Sequence, residues 1–337
     1  MKKWFLCLMV ILSMSSGLVM AHSDEGAVEG KDAQVKDSLR VAAEQGDASA
    51  QNALGEKFFQ GNGLAQNTQE AVKWFRLAAE QGHANAQFNL GLSYGNGQGV
   101  TQDFQEAVKW FRAAAEQGHI NARFSLGVSY ANGQGVTQDY QEALKWFRAA
   151  VESGDVVAQY NLGLIYLNGQ ITAQDFQEAM KWFHLAAKQG HALAQFNLGV
   201  GYGNGQGIAR NDQEALKWFR AAAEQGYPKA RHYLGLSYAN GQGVTQDYRE
   251  AVTWFRLAAG QGDAAAQNSL GLSFRLGQGV AQDTARAYMW FKLAVVNHHH
   301  DAQANLDEAA QRLTPDQIAE AIKRARECKK SNYAACD

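Results

Sequence analysis

Proline is nearly missing from this chain, two residues in 337, so long breaker-rich linkers have no place in it. Cysteine is scarce too: Cys7, Cys328 and Cys336 are all there are. Neither sign of charge dominates, with 31 Lys and Arg against 33 Asp and Glu. Setting Lys2 and Lys3 aside leaves 29 against 33. That balance lacks the basic footprint of a nucleic-acid binder, and no nucleic-acid partner is expected. The one long apolar run, Trp4 to Leu12, is shorter than the roughly 20 residues a spanning helix needs. The strings H-E-x-x-H and S-x-x-K do not occur, which removes the usual signatures of zinc peptidases and of serine acyl-transfer enzymes.

The start of the chain reads as a targeting segment. Lys2 and Lys3 precede the apolar run, a small and polar stretch follows, and Val19-Met20-Ala21 fits a cleavage site. The expectation is a signal peptide over 1–21 and a periplasmic or secreted mature chain. No cysteine follows the site directly, so no stable membrane anchor is expected after cleavage. Residues 22–30 are polar and read as a disordered linker.

What is abundant is repetition. Trp74, Trp110, Trp146, Trp182, Trp218, Trp254 and Trp290 follow one another at intervals of 36 residues. The whole window repeats with them, and a fixed period in this range marks a solenoid or a propeller. Seven units result: Asp47–Gly82, His83–Gly118, His119–Gly154, Asp155–Gly190, His191–Gly226, Tyr227–Gly262 and Asp263–His298.

In the second unit Ala86, Leu90 and Tyr94 form one helical stripe, and Gly91 beside Leu90 permits a close helix crossing. A Gly-rich turn over 95–100 follows. Asp103 with Glu106 three residues on is a capping-box pattern. Ala107, Trp110, Phe111, Ala114 and Ala115 then keep helical spacing up to Gly118, where a C′ glycine is expected. Each unit is therefore helix–loop–helix. Large residues at 90, 94, 110 and 111 face small ones at 86, 107, 114 and 115, which lets helices interdigitate. The tryptophan ladder reads as a buried packing device.

This frame, Ala86…Leu90-Gly91…Tyr94…Gly97-x-Gly99-Val100…Asp103…Ala107…Trp110-Phe111…Ala114-Ala115…Gly118, resembles the Sel-one-like repeat family, relatives of tetratricopeptide repeats with longer units. The resemblance runs over roughly 31–328. It implies an all-α, right-handed α/α superhelical solenoid acting as a protein-interaction scaffold. Bacterial members of that family are often exported and linked to envelope processes or host contact.

The ends and the irregular unit add detail. Residues 31–46 match the end of a unit with Ser38 in the tryptophan's place and read as an N-terminal half-repeat cap. Residues 299–329 read as C-terminal capping helices, with Thr314-Pro315-Asp316-Gln317 opening the last one, and 330–337 as a tail. Cys328 and Cys336 are close enough in sequence to form a small-loop disulfide in an oxidising compartment. In the fourth unit Ile171 replaces the glycine aligned with Gly99. A strained or differently turned loop is expected there, with Ile171→Gly neutral or stabilising.

Chemistry is hard to find. Gly95-x-Gly97-x-Gly99 has no strand before it and recurs through the array, so it is a turn and not a phosphate loop. His298-His299-His300-Asp301 offers metal-ligating side chains, but consecutive residues on regular structure cannot all face one ion, so an exposed polar turn is the reading. His83, His119 and His191 alternate with Asp and Tyr at equivalent positions and read as turn residues. Cysteine-rich members of the same family have been associated with β-lactam binding or hydrolysis, and carry a cysteine pair in each repeat that this chain lacks. No catalytic residue, cofactor or metal is assigned from sequence. The expected function is a non-catalytic, monomeric scaffold for a protein or peptide. The alternative is an envelope enzyme or a peptidoglycan- or glycan-binding activator. Two rows off the packing stripe are the expected binding residues, because rings supply contact area and amides can pair with a peptide backbone. They comprise Phe88, Phe124, Tyr160 and Phe196 in one row, and Asn89, Asn161, Asn197 and Tyr233 in the other.

Overall fold

The structure, a computed structural model, describes residues 38–169, 171–333 and 336. The expected signal peptide, the linker and the first residues of the N-terminal cap lie outside them. A helix over 38–44 (α1) is followed by α2 (Ala48–Gln60), α3 (Thr68–Glu80), α4 (Ala84–Asn96), α5 (Phe104–Glu116), α6 (Ile120–Asn132), α7 (Tyr140–Val151), α8 (Val156–Asn168), α9 (Phe176–Lys188), α10 (Ala192–Asn204), α11 (Asp212–Glu224), α12 (Pro228–Asn240), α13 (Tyr248–Ala259), α14 (Ala264–Leu276), α15 (Thr284–Val296), α16 (Ala302–Ala310) and α17 (Pro315–Lys330). The described residues contain no strand. Helices adjacent in sequence pack on one another from α2 through α7 and again from α9 through α16, with α17 returning to α15, the arrangement of an α-solenoid. None is long and apolar enough to cross a membrane. The chain divides into two compact units, one up to Ala158 and one from Gln159.

Within a helix pair the closest approach is glycine against phenylalanine. A Cβ on Gly91 would lie 2.6 Å from the Phe111 ring, and one on Gly163 2.7 Å from Phe183. The phenylalanine that follows each tryptophan is the buried member: Phe147 is 1% exposed and Phe183 0%. Of the seven tryptophans only Trp218 and Trp290 are buried; the other five are half-buried. The core ladder is thus phenylalanine, and the tryptophans flank it. The reason lies in the register: the residue facing the first-helix glycine sits one step after each tryptophan.

A second ladder, of glutamine, joins successive repeats. Gln87 Nε2 donates to the Ala79 carbonyl at the end of α3 (3.2 Å), while Gln87 Oε1 accepts from Gln117 Nε2 (2.7 Å). Gln195 does the same between Ala187 and Gln225. Arg123 and Arg231 replace it in the third and sixth repeats, with Nε on Ala115 O and Ala223 O respectively. Each of these carbonyls also accepts the amide of the glycine three residues on, so the side chain uses the second lone pair of a helix-end oxygen and couples one repeat to the next. Arg112 adds an outer link by donating to the Tyr130 hydroxyl of the following repeat.

The capping pattern is half of what the spacing predicts. Asp103 Oδ1 accepts from the Glu106 amide (3.1 Å), but the Asp103 amide already donates to Tyr94 O (3.0 Å), and Glu106 pairs with Lys109. The reciprocal bond is displaced because the loop returns that amide to the end of the first helix. A complete capping box forms at Thr314 and Gln317. Gly118, at φ +87°, stands where a C′ glycine was expected.

At the fourth loop the expectation divides. Ile171 does not adopt the left-handed backbone of the glycines aligned with it, so the loop does turn differently. It is also buried, 5% exposed, which overturns the expectation that Ile171→Gly is neutral. That substitution should cost about 1–3 kcal/mol: the lost side-chain burial outweighs any recovery of the loop shape common to the other repeats. Urea unfolding checks it, and an unchanged midpoint would mean that the burial contributes nothing.

The C-terminal end is closed by α17, which packs Ala321, Ala325 and Cys328 into the core formed by α13 to α15. Cys328 and Cys336 are disulfide-bonded. The loop they close carries Tyr333, whose hydroxyl accepts from Asn297 Nδ2 (2.8 Å).

Candidate partner-binding surface

The two rows expected to bind a partner pair mainly with each other. Asn89, Asn197, Tyr233 and Ser269 of the second row each reach the first-row residue of the preceding repeat. Asn89 Nδ2 donates to Asn52 Oδ1 (3.1 Å), His232 Nε2 and Ser269 Oγ lie 3.0 Å apart, and Asn305 donates to Asn268. Asn197 is hydrogen-bonded to Tyr160, and the rings of Phe196 and Tyr233 meet edge-on at 5.2 Å. These contacts recur because one helical step offsets the 36-residue period by one position.

The first-row rings also turn inward. Phe88 lies against Phe111 of its own repeat and stacks on His119 of the next at 4.6 Å. Phe124 meets Phe147 at 4.9 Å, and Tyr160 meets Phe183 and His191. Phe88 and Phe124 are 7% and 6% exposed. Both are corrections to the expected site: a first helix between two second helices is covered on both flanks, so neither ring faces a partner. Asn89, Asn161, Tyr160, Phe196 and Asn197 are half-buried. The amides of Asn89 and Asn197 are engaged within the fold, so they are not free to pair with a peptide backbone.

Tyr233 is different. It is 39% exposed and lines a cavity of about 110 Å³ with Val200, Asn204, Asp212, Ser237 and Gln242. Phe219 forms its apolar wall. Its polar lining combines the carboxylate of Asp212 with the amides of Asn204 and Gln242. Tyr233 also keeps ring contacts with Phe196 and Phe219, both at 5.2 Å, so it is held in place at little further entropic cost.

The inter-repeat histidines have a role the sequence reading missed. Nδ1 of His83, His119 and His191 accepts the backbone amide three residues on, as N-caps of α4, α6 and α10. Asp47, Asp155 and Asp263 do the same job elsewhere. The signal was the interchange itself, since Asp and neutral His share an acceptor and little else. Burial lowers the pKa of His119 and His191, keeping the neutral form that can accept. Tyr160 is raised by burial, with the Asn197 bond opposing. His232 is lowered by burial, against the pull of Asp263.

One string has the spacing of a serine-hydrolase elbow, Gly91-Leu92-Ser93-Tyr94-Gly95. Such an elbow needs a strand-to-helix turn that exposes the serine. Here all five residues lie within α4, and Ser93 is buried and donates to Asn89 O. It is a structural residue.

Comparison with known proteins agrees with this geometry. The Sel1 repeat matches seven times in succession, at 48–83, 84–119, 120–155, 156–191, 192–227, 228–263 and 264–295. The chain belongs to the Sel1 repeat family. A similar solved structure is c5321, a protective antigen present in uropathogenic Escherichia coli strains that displays an SLR fold: 36% identity, TM-score 0.76, covering 86% of this chain. This Sel1 repeat protein spans 64% of the length of c5321. A Sel1 repeat protein from Oxalobacter formigenes is 31% identical with a TM-score of 0.65, over 82% of this chain and 81% of that one. No curated protein matches. A Sel1 repeat scaffold fits a role in protein–protein interaction.

Proposed function

We propose that this Sel1 repeat protein is an exported, non-catalytic, monomeric scaffold that binds a protein or peptide, and that Tyr233 and its pocket hold one side chain of that partner. The carrying observation is the pocket: an exposed tyrosine fixed by two neighbouring rings, beside Asp212, Asn204 and Gln242. Tyrosine anchors of this kind are frequent hot spots. Export is supported by the character of residues 1–21 and by the Cys328–Cys336 disulfide, which suits an oxidising compartment. The E. coli relative is a protective antigen, which accords with a protein that antibodies can reach. A non-catalytic role accords with the use of His83, His119 and His191 as helix caps.

The test is capture from periplasmic and secreted fractions on immobilised full chain, followed by titration of whatever is recovered at stoichiometric yield. Tyr233→Ala should weaken that complex by at least about tenfold, an ordinary hot-spot loss, with thermal melting little changed. Retention on peptidoglycan with no protein partner would favour the glycan-binding alternative and overturn this reading.

A further inference from the structure

The turn between α15 and α16 breaks the pattern of the others in three ways. First, His298 takes the left-handed place (φ 65°) that glycine fills in the full repeats before it. Second, His299 is aligned with the capping row of Asp47, His83, His119, Asp155, His191, Tyr227 and Asp263. It caps nothing, because α16 starts two residues late, at Ala302. Its Nδ1 is buried without a hydrogen-bond partner, whereas Nδ1 of His83, His119 and His191 each accept an amide. Third, Asp301 stands at the N-cap of α16 but makes no side-chain capping bond. Its Oδ2 is turned to Nε2 of His300 instead, at 2.9 Å. Two side chains that should each cap a helix are both released from that role, and they flank a third ligating side chain.

From this juxtaposition we infer that His299, His300 and Asp301 form a binding site for a divalent transition-metal ion. One ring nitrogen from each histidine and a carboxylate oxygen of Asp301 lie within 4.8 Å of one another. Ligands to a shared zinc, at about 2.0–2.2 Å each, sit only somewhat closer together. The rings of His299 and His300 are stacked at 5.1 Å, and His300 and Asp301 are largely exposed, so small side-chain rotations close the set. Consecutive residues can converge here because the backbone is not helical: the left-handed step at His298 reverses the chain just before them. Two imidazoles and one carboxylate suit zinc and its neighbours in the first transition series over magnesium or calcium. Three protein ligands leave a fourth position to water or to a group brought by another molecule.

The experiment is titration of the full chain, free of any oligohistidine tag, with Zn²⁺ in competition with a chromogenic chelator. The expected result is about one ion per chain and a rise in melting temperature with added zinc. His299→Ala and Asp301→Asn should each weaken binding by at least about tenfold, and the zinc-dependent rise should vanish. His83→Asp, which swaps one capping residue for the type that caps α2, should leave binding unchanged. Asp301→Asn preserves shape and gives up no capping bond, so its zinc-free melting should match that of the parent chain. Absence of binding to the parent chain, or binding that survives in both variants, overturns the site.

Discussion

Gly135→Ala is expected to destabilise the protein by more than about 4 kcal/mol, while Gly154→Ala should cost only about 1–2 kcal/mol. Both glycines are left-handed, at φ +73° and +80°, so both variants carry the same backbone strain. What differs is the space. A Cβ on Gly154 meets nothing within 4 Å, whereas one on Gly135 would sit 2.0 Å from the carbonyl oxygen of Phe104 and 2.4 Å from its carbon. Those are backbone atoms in the first turn of α5, and they cannot rotate aside as a side chain would. The loop after α6 must lift off the preceding repeat. Neighbour contacts carry most of a solenoid's stability, so the damage should centre on the third repeat's junction with the second. Urea unfolding measures the difference, and hydrogen exchange should place the new exposure at α5 and at residues 133–138. Equal losses in the two variants would mean that the close approach contributes nothing beyond strain.

That contact also explains how far the sequence could be read. A strict 36-residue period, helical spacing on both sides of a Gly-rich turn, and a glycine at each helix end make helix pairs legible, because those signals are local. Thr314 and Gln317 were legible for the same reason. What was not legible depends on neighbours. Position 87 is Gln or Arg in every repeat and looks like ordinary helix surface; only a stacked preceding repeat reveals the helix-end carbonyl that it bonds. The rows at Phe88 and Asn89 lie off the main stripe and looked available. In a stack, however, the first helix is flanked twice, and periodicity along one helix does not report the second flank. Ile171 failed in the same way: its departure from glycine was visible and its burial was not. The histidine caps were readable in principle, from their interchange with aspartate, once an acceptor and not a ligand was the property sought.

The tryptophans give the last instance, and a measurable one. They are the most visible periodic residues, yet Trp182 is half-buried and its indole N–H is spent on Glu178, 3.0 Å away. Phe183, beside it, is 0% exposed and rests on Gly163. Phe183→Ala should therefore cost about 3–5 kcal/mol, and Trp182→Ala about 1–3 kcal/mol, since only part of its area leaves water. The glycine contact supplies an independent check. Gly163→Ala drives a Cβ to 2.7 Å from the Phe183 ring and should be destabilising in the parent chain. In a Phe183→Leu background the added methyl has room, and the same substitution should be nearly neutral. The difference is the coupling energy of the pair. Denaturant unfolding of the four chains gives that coupling directly. A larger loss for Trp182→Ala than for Phe183→Ala, or no coupling between Gly163 and Phe183, would return the core ladder to tryptophan.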